Sequence, residues 1–355
     1  MKVLIDIGHP AHVHLFKNFA WEFQEKGHEI LFTVREKEHE IYLLKLYGFR
    51  YISFGKHFKS KAGKLYGLFH FNFYMLKAAF SFKPDIFLSH GSLYAAQIAF
   101  VFKKPHISLE DTGNMEQVRL YLPFTKTVLT SIAFHKDLGK KQIRYNCYHE
   151  LAYLHTNIFS GDKNISKVLG LKENERFFVI RFVSWNATHD YRQKGLSFNN
   201  KRDIIEKLNG IGKVFISSES VLPTEFERYQ LKVSPEKIHD VLAAADLFIG
   251  EGATMSSESV ILGTPAIYIN SIEAGTIDEQ EHNGLLFHFR NFDGVLDKIN
   301  EVLTDPLLKE NCIKKRIVTL ENKINLTSFL TWFVEDYPMS ERTMKENPQY
   351  QNRFI

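Results

Sequence analysis

The chain is poor in cysteine and has no long apolar run, and each absence removes a class of protein. Cys147 and Cys312 are its two cysteines among 355 residues, far apart and without a C-x-x-C spacing. Neither a disulfide framework nor a cysteine-built zinc site is expected. No stretch approaches the roughly 18 uninterrupted apolar residues that a membrane-crossing helix needs. The opening "MKVLIDIGHP" ends its apolar run at Asp6, which leaves no room for a signal peptide. A cytoplasmic protein is the expectation.

A third absence is local. From Ile41 to Pro84 there is no Asp or Glu, while Lys45, Arg50, Lys56, Lys59, Lys61, Lys64, Lys77 and Lys83 all fall inside. Aromatic residues are interleaved, as in "KLYGLFHFNFYMLKAAFSF". This is either a buried helix with solvated lysines at its ends or a basic, aromatic surface. Such a surface would rest on anionic lipid, with the chain peripheral on the inner face of the cell membrane, or hold an acidic acceptor. Lys56, Lys59, Lys61 and Lys64, in the loop-like "GKHFKSKAGK", are the side chains expected to reach it. No recognised nucleic-acid motif accompanies the patch, so nucleic acid is not an expected partner.

What remains is an ordinary globular composition, 44% hydrophobic and 24% charged, with a modest net charge of +4. The length suggests two domains at roughly 150 residues each. "KVLIDI", "HEILFTV", "RYISF", "PDIFLSHGS", "KPHISLED" and "KTVLTS" read as short buried strands. Helical stretches such as "HLFKNFAWEFQEK" and "LYAAQIAFVF" alternate with them. That alternation implies a parallel sheet covered on both faces. Polar and turn residues collect around "NIFSGDKNISKVLGLKENER", and the alternation restarts at "FFVIRFV". The boundary is placed near residue 160. This gives an N-terminal Rossmann-like domain at 1–160, a second at 161–325, and a C-terminal helix at 326–355 packing back towards the first. The fold class is α/β, with two doubly wound units facing across a cleft where a ligand is expected.

"ADLFIGEGATMSSESVILGTPAIYIN", residues 245–270, carries the sharpest motif. A strand ends at Gly250–Gly252 and a helix begins near Thr254–Ser257. Small residues there let a diphosphate approach backbone N–H groups at a helix N-terminus. Glu258, on the first turn, is placed to accept hydrogen bonds from ribose hydroxyls. The alternative is a Gly-rich turn with a capping Glu. The segment resembles the donor-binding signature of GT-B glycosyltransferases and of non-hydrolysing UDP-N-acetylglucosamine 2-epimerases. The resemblance gives Glu258 the ribose role and sets Gly252, Thr254, Ser256 and Ser257 along the diphosphate. "IDEQEHNG" resembles the sugar-contacting segment of lipid II-forming N-acetylglucosaminyltransferases, which implies sugar contacts from Gln280 and Asn283. The whole chain, through "HPAHVHLFKN", "HELAYLH" and "RFVSWNATHD", also resembles a family of bacterial and archaeal proteins classed as glycosyltransferase-like.

The first half separates two chemistries. "PDIFLSHGSLYAAQIAFVFKKPHISLEDTG" resembles the epimerase stretch, with Glu110 at its second carboxylate but Ser92 where the epimerase has its catalytic Asp. A serine cannot replace that carboxylate as acid or base at neutral pH, which tells against epimerisation.

His9, His12 and His14 follow the first strand. They can be a metal site, a catalytic base with companions, or caps and packing. Imidazole titrates near neutrality without tuning and suits group transfer to a hydroxyl. Resemblance of "AHVHLF" to the corresponding turn of the lipid II-forming enzymes points to His12, with His9 beside it and His14 structural. No H-E-x-x-H or D-x-D motif supplies further ligands, so neither metal nor cofactor is expected. Arg181 is expected to neutralise the leaving diphosphate, or to pair with a carboxylate, and His189 and Asp190 to shape the sugar pocket. The sequence thus points to a metal-independent GT-B transferase that moves a sugar from a nucleotide-linked donor, expected to be UDP-linked, to a polysaccharide or lipid-linked acceptor. An epimerase or hydrolase on the same scaffold, or a silent nucleotide-sugar binder, are the alternatives.

Overall fold

The structure is a computed structural model. It describes the chain except residues 59, 184–194, 219 and 272–274 and the side chains of 61, 62 and 64. It divides into two compact units, Met1–Tyr153 with Lys323–Ile355, and Leu154–Asn322.

In the first unit the order is β1 (Lys2–Ile7), α1 (Pro10–Glu25), β2 (Glu29–Glu36), α2 (Glu40–Leu46) and β3 (Tyr51–Lys56). There follow α3 (Lys61–Phe82), β4 (Ile86–His90), α4 (Leu93–Val101), β5 (His106–Glu110), α5 (Met115–Tyr121), β6 (Thr127–Ser131), β7 (Gln142–Tyr145) and α6 (Leu151–Leu154). The second unit holds α7 (Ile165–Val168), β8 (Phe177–Phe182), α8 (Phe198–Asn209), β9 (Lys213–Ser218), α9 (Ile238–Ala244) and β10 (Leu247–Gly250). It continues with α10 (Ala253–Ile261), β11 (Ala266–Ile269), α11 (Gly275–His282), β12 (Leu286–Phe289), α12 (Val295–Thr304) and α13 (Leu308–Leu320). The chain then returns to the first unit as α14 (Leu326–Glu335) and α15 (Met339–Glu346).

The seven-stranded sheet runs β3-β2-β1-β4-β5-β6-β7 and the five-stranded sheet β12-β11-β10-β8-β9. Neighbouring strands pair in parallel throughout both sheets. The strands are near-continuous apolar runs because helices cover both faces. Val3, Leu4, Ile5 and Ile7 of β1 are wholly buried, as are Leu247, Phe248 and Ile249 of β10. α14 explains why the C-terminal segment joins the first unit. Its Leu326, Phe329, Phe333 and Val334 are buried, and Thr331 donates from its hydroxyl to Glu22 on α1 at 2.8 Å.

In each sheet the chain reverses its direction of growth once, between β1 and β4 and between β8 and β10. Loops part at such a switch point and leave a crevice beyond the carboxyl ends of the strands, where ligands of doubly wound folds bind.

Candidate functional site

At the first switch point the loop after β1 carries His9 and His12. His9 is the N-cap of α1, its ring Nδ1 accepting from the Ala11 N–H at 3.2 Å, with Pro10 opening the helix. His12, on the first turn, lies 4.6 Å from the His90 ring, centroid to centroid. His14 is buried beside Tyr153. His90 ends β4, and its Nε2 is 2.8 Å from an oxygen of Asp111, just past β5. The other Asp111 oxygen is 3.0 Å from Nδ1 of His149, in the segment between β7 and α6. The adjacent strands β1, β4 and β5, together with the segment after β7, thus gather three imidazoles and a carboxylate from positions up to 137 residues apart (His12 to His149).

The electrostatics are divided. Burial, then the nearby His90 and His9, push the His12 imidazole well below its ordinary value. Burial also opposes charge on His90, but the Asp111 carboxylate, with Glu110 behind it, lifts that ring to about 9. The Asp111 carboxyl is held well below the carboxylate range because His149 and His90 outweigh the effect of burial. A proton donor and a proton acceptor therefore stand side by side.

Glu110 does not join this cluster. Its carboxylate is buried and accepts from the Thr112 N–H at 2.8 Å, the Thr112 hydroxyl at 2.6 Å and the Tyr121 hydroxyl at 2.7 Å. It organises the turn and anchors α5, while the next residue, Asp111, meets His90 and His149. The sequence did not single out Asp111, His90 or His149, whose segments share no motif. Ser92 is the N-cap of α4 and donates from its hydroxyl to buried Asp6 at 2.5 Å. Asp6 is in turn held by Arg35 at 2.7 Å. Lys56 is exposed at the end of β3. Lys59, the side chains of Lys61 and Lys64, and His189 and Asp190 lie outside the described residues.

At the second switch point β8 ends in Arg181 and β10 runs into Gly250–Gly252. A Cβ on Gly250 would meet the Phe248 ring at 2.7 Å, so glycine is required there. Gly252 caps α10, which starts at Ala253, one residue before the expected Thr254–Ser257. Glu258 consequently lies on the second turn, buried, with Oε1 3.0 Å from Nε2 of His239. Thr254 is exposed at the helix start. Ser256 and Ser257 depart from the expected diphosphate contact, because their side chains turn inward. Ser256 donates back to the Gly252 carbonyl at 2.9 Å, and Ser257 accepts from Gln280 Nε2 at 2.7 Å. Gln280 is wholly buried between α11 and α10, so it does not present its amide to a sugar. Asn283 is half-buried just past α11. Arg181 donates to the Ser217 hydroxyl at 2.8 Å. Glu251, which the sequence did not single out, accepts from the N–H groups of Val183, just past β8, and Leu196, just before α8. A cavity of about 190 Å³ opens beside it, lined by Asn200, Asn270, Arg290 and Phe292 among others.

Two doubly wound parallel units, each with polar side chains collected at its switch point, define an α/β protein of the GT-B type. The chain belongs to the family described as "Protein of unknown function (DUF354)", whose model matches residues 1–330. An uncharacterised protein of Methanocaldococcus jannaschii is 25% identical over 285 residues, covering 75% of this chain and 81% of that protein. Among solved structures, the UDP-GlcNAc 2-epimerase of Neisseria meningitidis, bound to UDP-GlcNAc, superposes with a TM-score of 0.64. It is 13% identical and covers 88% of this chain and 94% of its own. The glycosyltransferase SsfS6 of Streptomyces sp. SF2575 gives a TM-score of 0.58 at 13% identity, covering 95% of this chain and 100% of that one. No helix among the described residues is long and apolar enough to cross a membrane.

Proposed function

We propose that this chain transfers a sugar from a nucleotide-linked donor, UDP-linked in our reading, to an acceptor in cell-surface polysaccharide or glycolipid assembly. The observation that carries the proposal is the turn from β10 through Gly252 into α10 at the second switch point. Its first N–H groups have no partner within the helix, and the helix dipole favours a diphosphate there. Arg181 on the adjacent strand end adds a cation for the departing diphosphate. The Neisseria epimerase of similar fold binds UDP-GlcNAc, which supports a nucleotide-sugar donor here. Glu258 is assigned to the ribose hydroxyls, with His239 fixing its carboxylate.

Transfer is favoured over epimerisation by the state of Ser92. Its hydroxyl donates to Asp6 and caps α4, so it offers neither an acid nor a base for proton exchange at a sugar carbon. His12, at the first switch point, is assigned to take the proton of the acceptor hydroxyl. For the acceptor side, α3 turns Leu65, Tyr66, Phe69, Phe73 and Phe80 outward, each more than half exposed. A basic, acid-free stretch bearing such a face suits an anionic membrane and a lipid-linked acceptor.

The test is incubation with UDP-, GDP- and CMP-sugars in the absence of acceptor. Slow hydrolysis of a UDP-sugar with no C2 epimer is the expected result. Free UDP with an epimer would make the protein an isomerase, and binding without turnover would make it a silent binder.

A further inference from the structure

His90, Asp111 and His149 were not brought together by any motif in the sequence, and His149 is left in an unusual state. It is 93% buried, yet neither ring nitrogen meets a hydrogen-bond partner among the described residues. Its Nδ1 approaches Asp111 Oδ2 at 3.0 Å without the geometry of a hydrogen bond. An unsatisfied buried polar atom is costly and calls for a partner. We propose that His90, Asp111 and His149 bind a divalent transition-metal cation of the zinc type.

Geometry, donor chemistry and access agree. One ligand atom from each residue lies within 4.8 Å of the others. A tetrahedral ion with nitrogen and oxygen ligands at about 2.0–2.2 Å holds its ligand atoms roughly 3.4 Å apart. Side-chain rotations that bring the ligand atoms roughly 1.4 Å closer, or less, close that difference. Two imidazoles and one carboxylate suit zinc or cobalt, whereas calcium and magnesium prefer sites built from oxygen. The His90 and His149 side chains are 9% and 7% exposed, but Asp111 is 36% exposed. The site is therefore closed by protein on the imidazole side and open on the carboxylate side. Three protein ligands and an open position form the pattern of a zinc site that admits an exogenous ligand. The His12 ring, packed on His90, borders it. A cation there lies at the first switch point, beyond the ends of β4 and β5, where this class of fold binds its ligands. The site lies wholly in the first unit and does not depend on the nucleotide reading of the second.

A second group, Asp278, Glu281 and His288, has the same ligand-atom spacing but sits nearer the surface, with Glu281 46% exposed. It serves as the internal control. The full chain, stripped by a chelator and exchanged into metal-free buffer, is titrated with Zn²⁺ by calorimetry and with Co²⁺ by visible absorption. One tight equivalent is expected, with the intense d–d bands of a four- or five-coordinate cobalt ion. Asp111→Asn and His149→Ala should each weaken binding by more than the roughly 10–100-fold that loss of an outer-shell partner costs. Glu281→Gln should leave binding unchanged. Circular dichroism of each metal-free variant reports folding, and the nearly isosteric Asp111→Asn decides the matter if His149→Ala fails to fold. Absence of a tight equivalent in the wild type overturns the proposal. So does equal affinity in folded Asp111→Asn, or loss of binding with Glu281→Gln in place of Asp111→Asn.

Discussion

Glu110 and Asp111 are neighbours in the chain with opposite duties. One ends β5 and anchors α5 through Tyr121, and the other faces His90 and His149. Strand side chains alternate sides, so an error of one position exchanges an anchor for a site residue. At the same scale, the His12 assignment predicts that His12→Ala lowers turnover by roughly 100-fold or more and leaves UDP affinity nearly intact. Initial rates and calorimetry on one preparation separate the two effects. Equal damage from His9→Ala would reduce the loop to a capping role. For Glu258, Gln is the informative replacement because it keeps volume and a hydrogen bond to His239. It should weaken UDP binding by roughly 1–3 kcal/mol; unchanged affinity in a folded variant removes Glu258 from the site.

His106 gives a pH signature unrelated to the site. It is wholly buried between the Ser89 hydroxyl at 2.9 Å and the Thr125 hydroxyl at 2.8 Å. Burial pushes its imidazole down to about 3 from the ordinary 6.5. Between those values the unfolded chain binds a proton that the folded chain refuses. The stabilising effect of keeping the ring neutral is complete above about pH 6.5 and is lost as pH falls towards 3. The slope is roughly 1.4 kcal/mol per pH unit. Urea denaturation from pH 7 to 4 should show a shallower slope for His106→Asn than for the wild type, by about one proton. Parallel slopes would refute the neutral buried state.

Among the elements, α3 departs from the usual pattern of a surface helix. Phe71, Met75, Ala79 and Phe82 pack inward, while Phe69, Phe73 and Phe80 point to solvent. A helix apolar on both faces has a second face to cover. The sequence left a buried helix and a basic aromatic surface as alternatives, and this helix has aromatic rings on both an inner and an outer face. Phe69→Ser, Phe73→Ser and Phe80→Ser together should move the protein from the pellet to the supernatant when spun with anionic vesicles, without lowering its melting temperature. Each ring that inserts is worth about 1.5–3 kcal/mol when fully buried. Changing Lys56, Lys59, Lys61 and Lys64 to Gln should weaken the same association by about 1 kcal/mol for each side chain that reaches the lipid. A wild type that ignores vesicles at low salt would make the patch an ordinary solvated face.

For the whole molecule, the chain leaves the first unit, builds the second and returns. Phe329 on α14 is wholly buried against the first unit, ringed by Tyr145, Phe333 and Phe354. Phe329→Ala should cost about 3–5 kcal/mol of stability. Its effect on UDP affinity should be small, because the proposed nucleotide site lies in the second unit. A denaturation curve and a UDP titration on the same variant check both halves of that statement.

Local pattern was enough for the architecture. Buried parallel strands must be continuous apolar runs and their covering helices must be striped, so "KVLIDI", "HEILFTV" and "DLFIGE" declare themselves. The Gly-rich turn at 250–252 was legible for a related reason, since only glycine fits where Gly250 meets the Phe248 ring. Tertiary structure alone decided which polar side chains meet. His90, Asp111 and His149 come from three separate segments with no fixed spacing, and the strand order β1-β4-β5 brings two of those segments alongside the His12 loop. It likewise buried Gln280, Ser256 and Ser257, which look like surface contacts in sequence. Whether a polar residue at a helix start faces solvent depends on what packs against that helix, and that is set by elements remote in the chain.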